Sequence, residues 1–280
     1  IAKPEESKIR IQQIIKNLKK YSLVIRVMPN LTDIAKGELS VNDLKKVKIS
    51  DLLKREQREP VKDLLERDIR EKNVLITGAG GSIGSELSNQ ILKNKPNRLA
   101  LFDISEFSLY QAEQKLTASL DQSELVTIIG NVTNQSRLEK ILKKYKINTV
   151  YHAAAYKHVP LVEKNIIAGV RCNIFGTLSC ISAAIKMKVE SFVFISTDKA
   201  VRPTNIMGAT KRFAEQILQS IYQSGLTQED ISTRISIVRF GNVLGSSGSV
   251  VPLFKRQIKN GGPLTVTDPN IIRYFMTPKE

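Results

Sequence analysis

Residues 74–87 read "VLITGAGGSIGSEL". The opening residues are apolar and β-branched, as in a short buried strand, and the closing ones suit a helix. Between them Gly78, Gly81 and Gly84 stand in Gly-x-x-Gly-x-x-Gly spacing, with Ser82 and Ile83 filling the turn. Glycines there permit a tight turn and let backbone N–H groups approach a pyrophosphate at the helix N-terminus. A glycine-rich loop alone is weak. This one follows a strand, opens a helix, and has Asp103 nineteen residues beyond Gly84 at the end of the next apolar run, "RLALFD" (98–103). A carboxylate in that place can accept hydrogen bonds from an adenosine ribose, which favours NAD over NADP.

The same alternation continues outward. "LYQAEQKLTASL" (109–120) reads as a helix, "LVTIIG" (125–130) as a strand and "QSRLEKILKKY" (135–145) as a helix. "NTVYHAA" (148–154), "SFVFIST" (191–197) and "RISIVRFG" (234–241) read as strands, separated by the helical runs "NIFGTLSCISAAIKM" (173–187) and "GATKRFAEQILQSI" (208–221). Strands alternating with helices predict an α/β fold: a Rossmann-type, doubly wound, mostly parallel sheet over residues 73–239. Such sheets hold ligands beyond the carboxyl ends of their strands. Every unusual motif in this chain follows a strand.

Ahead of that domain, residues 5–20 carry isoleucines and a leucine at helical spacing among lysines, and "YSLVIRVM" (21–28) reads as a strand ended by Pro29. Residues 1–28 are expected to be the tail of a preceding α/β domain, and 29–72 a connector with helical pieces. The chain opens on Ile1 and closes on the charged "RYFMTPKE" (273–280), and is expected to be an excerpt of a longer protein. No stretch approaches eighteen consecutive apolar residues, so no membrane span is expected.

The net charge is +16, shared between residues 1–72 and the remainder. No dense basic run is interleaved with aromatics, which argues against dedicated nucleic-acid binding. The basic balance suits solvated lysine faces, and equally a nucleotide-handling or membrane-adjacent protein. Cys172 and Cys180, eight apart in an apolar helical run, read as reduced thiols. The chain has His152 and His158 as its 2 histidines and neither CxxC nor HExxH, so no metal site is expected.

The segment "ISTDKAVRPTNIMGATKR" (195–212) holds an acid beside a base, Asp198 and Lys199, and ends in Met207-x-x-x-Lys211. With the glycine spacing it resembles the extended short-chain dehydrogenase/reductases, whose site is Tyr-x-x-x-Lys preceded by Ser or Thr. Lys211 and the Ser196/Thr197 pair match; Met207 stands where the tyrosine would be, and a thioether has no proton to exchange. In the same resemblance Asn131 and Val132, in "GNV" (130–132), flank the adenine, with Asn131 replacing the usual Asp. Ala153 and Ala154, in "HAAA" (152–155), line the coenzyme.

Further strings follow in order: "HAAAYKHVPLVE" (152–163), "NIFGT" (173–177), "RFGNVLGSSGSVVPLF" (239–254), "GGPLTVTDP" (261–269) and "RYFMT" (273–277). Together they resemble the bacterial UDP-N-acetylglucosamine 4,6-dehydratases of the polysaccharide-biosynthesis type, densely over 73–280 and weakly over 22–72. In the large membrane-linked members the tyrosine position is itself Met. The resemblance implies NAD as coenzyme, UDP-GlcNAc as substrate, a homo-oligomer, and a parent protein anchored at the cytoplasmic side of the bacterial inner membrane, with this stretch soluble. It implies oxidation at sugar C4, loss of water across C5 and C6, and hydride return to C6, with Asp198 as acid and Lys199 as base.

That step needs a protonated acid beside a neutral amine, so a closed, dry site is expected around 197–199. Thr197, Asp198 or a water chain held by Lys211 could take the C4 hydroxyl proton. On the substrate side the resemblance implicates Lys157, Asn173, Asn242, Val251, Thr265 and Arg273, with 240–280 as part of a smaller substrate-binding region. His158 reads as structural or supporting. Two other readings stay open: a 4-epimerase, which needs the phenol Met207 replaces, and a non-catalytic NAD-binding scaffold, which would not need Asp198, Lys199 and Lys211.

Overall fold

The computed structural model describes residues 61–277 except 122, 229–231, 247–248, 267 and 271, and before them 8–18, 21, 26–27 and 45–46. The chain divides into two compact units, one built on residues 1–58 and one on 59–274. In the first, the expected amphipathic helix covers Lys8–Leu18. Arg26–Val27, within the expected strand, pairs antiparallel with Lys45–Lys46. Tyr21 is a bend and not part of that strand; the rest of the expected strand and most of the connector lie outside the described residues.

The second unit is the doubly wound sheet. Its strands are β1 (Asn73–Thr77), β2 (Arg98–Asp103), β3 (Glu124–Ile129), β4 (Thr149–His152), β5 (Ser191–Thr197) and β6 (Arg234–Phe240). They pair in parallel in the order β3-β2-β1-β4-β5-β6. The chain first winds outward from β1 through β3, then returns to β4 and winds the other way. That reversal leaves a crevice at the carboxyl ends of β1 and β4, where this topology holds its ligand.

Helices cover both faces, so the central strands are buried on both sides and read as continuous apolar runs. Leu75, Phe102, Val150 and Phe194 point to one face. They pack there on α3 (Gln135–Lys144), on α5 (Ile166–Lys186), which follows the short α4 (Val159–Lys164), and on α6 (Ile206–Gln228). Val74, Ile76, Leu99 and Leu101 point to the other, against α1 (Ser82–Lys93) and α2 (Glu106–Thr117). This is strand alternation acting on two cores at once.

The helix Lys62–Ile69 joins the second core through Ile69, and Thr149 Oγ1 donates to the Asp68 carbonyl at 2.7 Å. The end of the segment read as a connector is thus part of the domain. Helix α5 is long and apolar enough to cross a membrane by length and composition. Its Cys180, Ile181, Ala183 and Ala184 are buried in the core, as a central helix of a doubly wound domain requires.

Candidate active site

The glycine loop behaves as its spacing predicts. Gly78 has φ +69°, and a Cβ there would stand 2.7 Å from the Ala154 backbone. Gly84 packs against the Gly78 carbonyl so closely that no side chain fits. Helix α1 starts at Gly81 without a side-chain cap, whereas Ser105 caps α2 and Asn134 caps α3. The uncapped turn leaves backbone donors for an anion. Asp103 Oδ2 accepts from Gly80 N and Oδ1 from Ser105 N, both at 2.9 Å. A carboxylate retains further acceptor sites after two such bonds.

A cleft of about 1190 Å³ opens above this loop, lined by Gly78, Gly81, Asp103, Asn131, Val132, Ala153 and Ala154 among others. Asn131 Oδ1 accepts from Thr133 N at 3.0 Å, which fixes the loop after β3. Size, uncapped helix and strand-end acid together fit a dinucleotide. Gly80 and Tyr156 line the cleft too, and the sequence reading missed both. Gly80 packs against Ser108 on α2, where a Cβ would stand 2.5 Å away, a constraint visible only in the fold.

A second cavity of about 290 Å³ continues from the first past Gly78, Gly81, Ala153 and Tyr156. It gathers Ser82, Ile83, Gly84, Lys157, Thr197, Lys199, Met207, Lys211 and Asn242. Residues at or just past the ends of β1, β4, β5 and β6 therefore meet residues of α6 in one cavity. Lys211 is buried, its Nζ 3.8 Å from the Phe194 ring centroid, and burial pushes its pKa down to about 7. Met207 is 4% exposed and presents only a thioether.

Asp198 and Lys199 lie in the one-turn 3₁₀ segment just past β5. Lys199 Nζ donates to Asp198 Oδ1 at 3.0 Å and to Asn242 Oδ1 at 3.2 Å; Thr197 Oγ1 donates to Asp198 Oδ1 at 2.9 Å. Burial pushes the Asp198 carboxyl up, but the hydrogen bonds from Lys199 and Thr197 outweigh it and leave its pKa below the ordinary value. The expected dry site is not what is seen. The Asp198 side chain is 47% exposed and that of Lys199 31%, because the pair stands just past the strand end; Lys199 lines the second cavity and Asp198 does not. As it stands the pair is an ordinary ion pair.

The substrate-side residues divide. Lys157 and Asn242 line the second cavity, and burial lowers the Lys157 pKa. Asn173 does not reach either cavity. It is fully buried in a π-helical turn of α5 (Arg171–Phe175). Its Oδ1 accepts from Tyr156 N at 2.8 Å; its Nδ2 donates to Tyr156 O at 3.0 Å and to Thr210 Oγ1 at 2.9 Å. Asn173 is therefore a brace between the loop after β4 and α6, not a ligand contact. Val251, on α7 (Val250–Lys259), and the exposed Thr265 and Arg273 line neither cavity. Thr265 bonds to Gln257 instead.

His152 is fully buried between Thr77 Oγ1 at 2.7 Å and Thr177 Oγ1 at 3.1 Å. Thr177 itself donates to Asn173 O, so its oxygen accepts from His152 Nε2–H, and Nδ1 accepts from Thr77. Burial, helped by Lys211, pushes the imidazole pKa down to about 3, so it is neutral. A hydrogen-bonded chain thus runs from the glycine loop through His152, Thr177 and Asn173 to Thr210 and the Met207 carbonyl.

The family model described as polysaccharide biosynthesis protein matches residues 74–280. The capsular polysaccharide biosynthesis protein CapD of Staphylococcus aureus is 46% identical over 100% of this chain and 46% of its own length. A UDP-glucose 4-epimerase of Rickettsia rickettsii is 34% identical over 74% of this chain and 59% of that protein. The crystal structure of Pen from Bacillus thuringiensis superposes with TM-score 0.69 at 38% identity, covering 75% of this chain and 62% of that one. The chain spans about half the length of the CapD relative. With its glycine loop, its strand order and its Met207-x-x-x-Lys211 segment in place, the chain belongs to the polysaccharide biosynthesis protein family, on the fold of the extended short-chain dehydrogenase/reductases.

Proposed function

We propose that this chain is the catalytic portion of an NAD-dependent UDP-N-acetylglucosamine 4,6-dehydratase serving bacterial glycan synthesis. The reading makes 73–239 the coenzyme-binding domain, 240–280 part of a substrate-binding region, and 1–28 the end of a preceding α/β domain. The observation that carries it is the Asp198–Lys199 pair, held by Thr197 and Asn242 beside Met207 and Lys211. An acid touching a base is what water elimination across C5 and C6 requires.

Gly78, Gly81, Gly84 and Asp103 would hold the coenzyme, which when bound supplies the acceptor for hydride from C4 and its return to C6. The protein's own part is proton placement. Moving one proton along the 3.0 Å Lys199–Asp198 contact turns the resting ion pair into a neutral acid and a neutral amine. Asp198 can then protonate the departing C6 hydroxyl while Lys199 takes the C5 proton. Net charge is unchanged, so a substrate that covers the half-exposed pair favours the neutral form by excluding water. Asn242 Oδ1 keeps one Lys199 N–H engaged and so aims the amine. Lys211, with a pKa of about 7, stands ready beside Met207 to hold a hydroxyl or pass on its proton.

A 4-epimerase is the second reading, supported by the resemblance to the Rickettsia protein. It has no use for an acid–base pair and lacks its phenol here. Mass spectrometry of UDP-GlcNAc incubated with the protein and NAD separates them. Loss of one water, absent with Asp198→Asn, supports the dehydratase; unchanged mass with conversion to UDP-GalNAc sinks it.

A further inference from the structure

We propose that Glu215 is a positioning residue, a buried carboxylate that sets where the acid–base pair stands relative to Lys211. Glu215 lies one turn after Lys211 on α6, on the same helix face. Its side chain has no exposure and does not line the cavity, but one of its partners, Ser196, does. Ser196 Oγ donates to Oε1 at 2.6 Å, and Arg239 Nε donates to the same oxygen at 2.8 Å. Arg239 closes a second bond to Oε2, which Arg212 Nη1 reaches at 3.1 Å. Burial pushes Glu215 up, but these donors outweigh it and keep the carboxylate ionised.

Each partner leads directly to the site. Ser196 lies on β5 immediately before Thr197 and the turn that carries Asp198 and Lys199. Arg239 sits opposite Ser196 in the β5–β6 register, three residues before the Asn242 that holds Lys199. One carboxylate therefore joins the three elements that carry the base's support, the acid–base pair and the buried lysine. The arrangement also engages the Ser196 hydroxyl, so of the Ser196/Thr197 pair it is Thr197 that donates to Asp198. A buried ion cluster adds little net stability compared with apolar packing, so placement is the better account of it.

The inference takes its rate readout from the dehydratase reading. The test measures kcat and KM for water loss from UDP-GlcNAc, normalised to folded protein by thermal melts, for Glu215→Gln and Arg239→Lys in the whole chain. The expected result is a kcat lowered by roughly tenfold to a hundredfold for Glu215→Gln, and less for Arg239→Lys, with KM within about twofold. Folded variants that keep the wild-type kcat, or that raise KM alone, overturn the proposal. Should Glu215→Gln fail to fold, Arg239→Lys decides by the same criterion. A wild-type chain that interconverts UDP-GlcNAc and UDP-GalNAc without water loss sinks the dehydratase reading instead; the same kcat comparison on that reaction then still judges Glu215.

Discussion

Two carboxylates stand at the end of β5, and they are held in opposite ways. Glu215 is wholly buried, with an arginine fork, a serine and a second arginine filling its acceptor sites. Asp198 is about half exposed and meets its lysine through a single oxygen. The buried one cannot exchange its proton without leaving arginines uncompensated. The open one can, because a single transfer to it from Lys199 leaves no net charge behind. A fixed charge gives geometry and a loosely held one gives chemistry, and both are tied to the end of β5.

The contrast breaks most readily at Asp198. Asp198→Asn should lower water elimination by about three orders of magnitude, the range of a lost general acid, while Tm stays within about one degree, since exposed pairs add little. A large Tm loss would mean that the pair is structural. Lys211 sharpens the picture from the buried side. Its folded pKa of about 7 lies below its ordinary 10.5, so between those values the unfolded chain binds more protons and stability rises with pH. Lys211→Met should relieve a penalty on the order of 4 kcal/mol below pH 7 and almost none at pH 10.5. Equal stabilisation at both pH values in denaturant melts would refute the buried-amine account.

Glu215→Leu should destabilise by about 1–2 kcal/mol, because Ser196 then loses its buried acceptor while Arg239, over a third exposed, turns to solvent. A change below about 0.5 kcal/mol by urea unfolding would put Glu215 in the same class as Asp198. The smallest effect is expected at Asn242. Asn242→Ala leaves the fold intact and frees Lys199, lowering kcat roughly tenfold through lost aim. An unchanged kcat would mean that Lys199 needs no support from β6.

The fold was legible because its signals are local. Apolar runs such as "RLALFD" and the glycine spacing at 78–84 fix strand, turn and helix within a few residues. The lining of the larger cleft was legible for the same reason: Gly78, Asp103, Asn131 and Ala153 all stand at or just past strand ends. What escaped was decided by distant partners. Asn173 reads as a polar residue free to meet a substrate, yet a π-helical turn buries it against Tyr156 and Thr210. Glu215 shows only as a glutamate four residues after Lys211, and its meaning comes from Arg239 on β6 and Ser196 on β5. The openness of Asp198 and Lys199 could not be read from neighbouring apolar residues, because it depends on where the strand stops relative to the cavity mouth.

The most direct measurement follows the hydride. UDP-GlcNAc carrying deuterium at C4 is incubated with the chain and NAD, and the product is read by mass spectrometry and NMR. The expected product is lighter by one water, with the deuterium moved to C6, and Asp198→Asn forms it about a thousandfold more slowly. Deuterium still at C4 in a UDP-GalNAc of unchanged mass would contradict the account, leaving the Asp198–Lys199 pair without a reaction to serve.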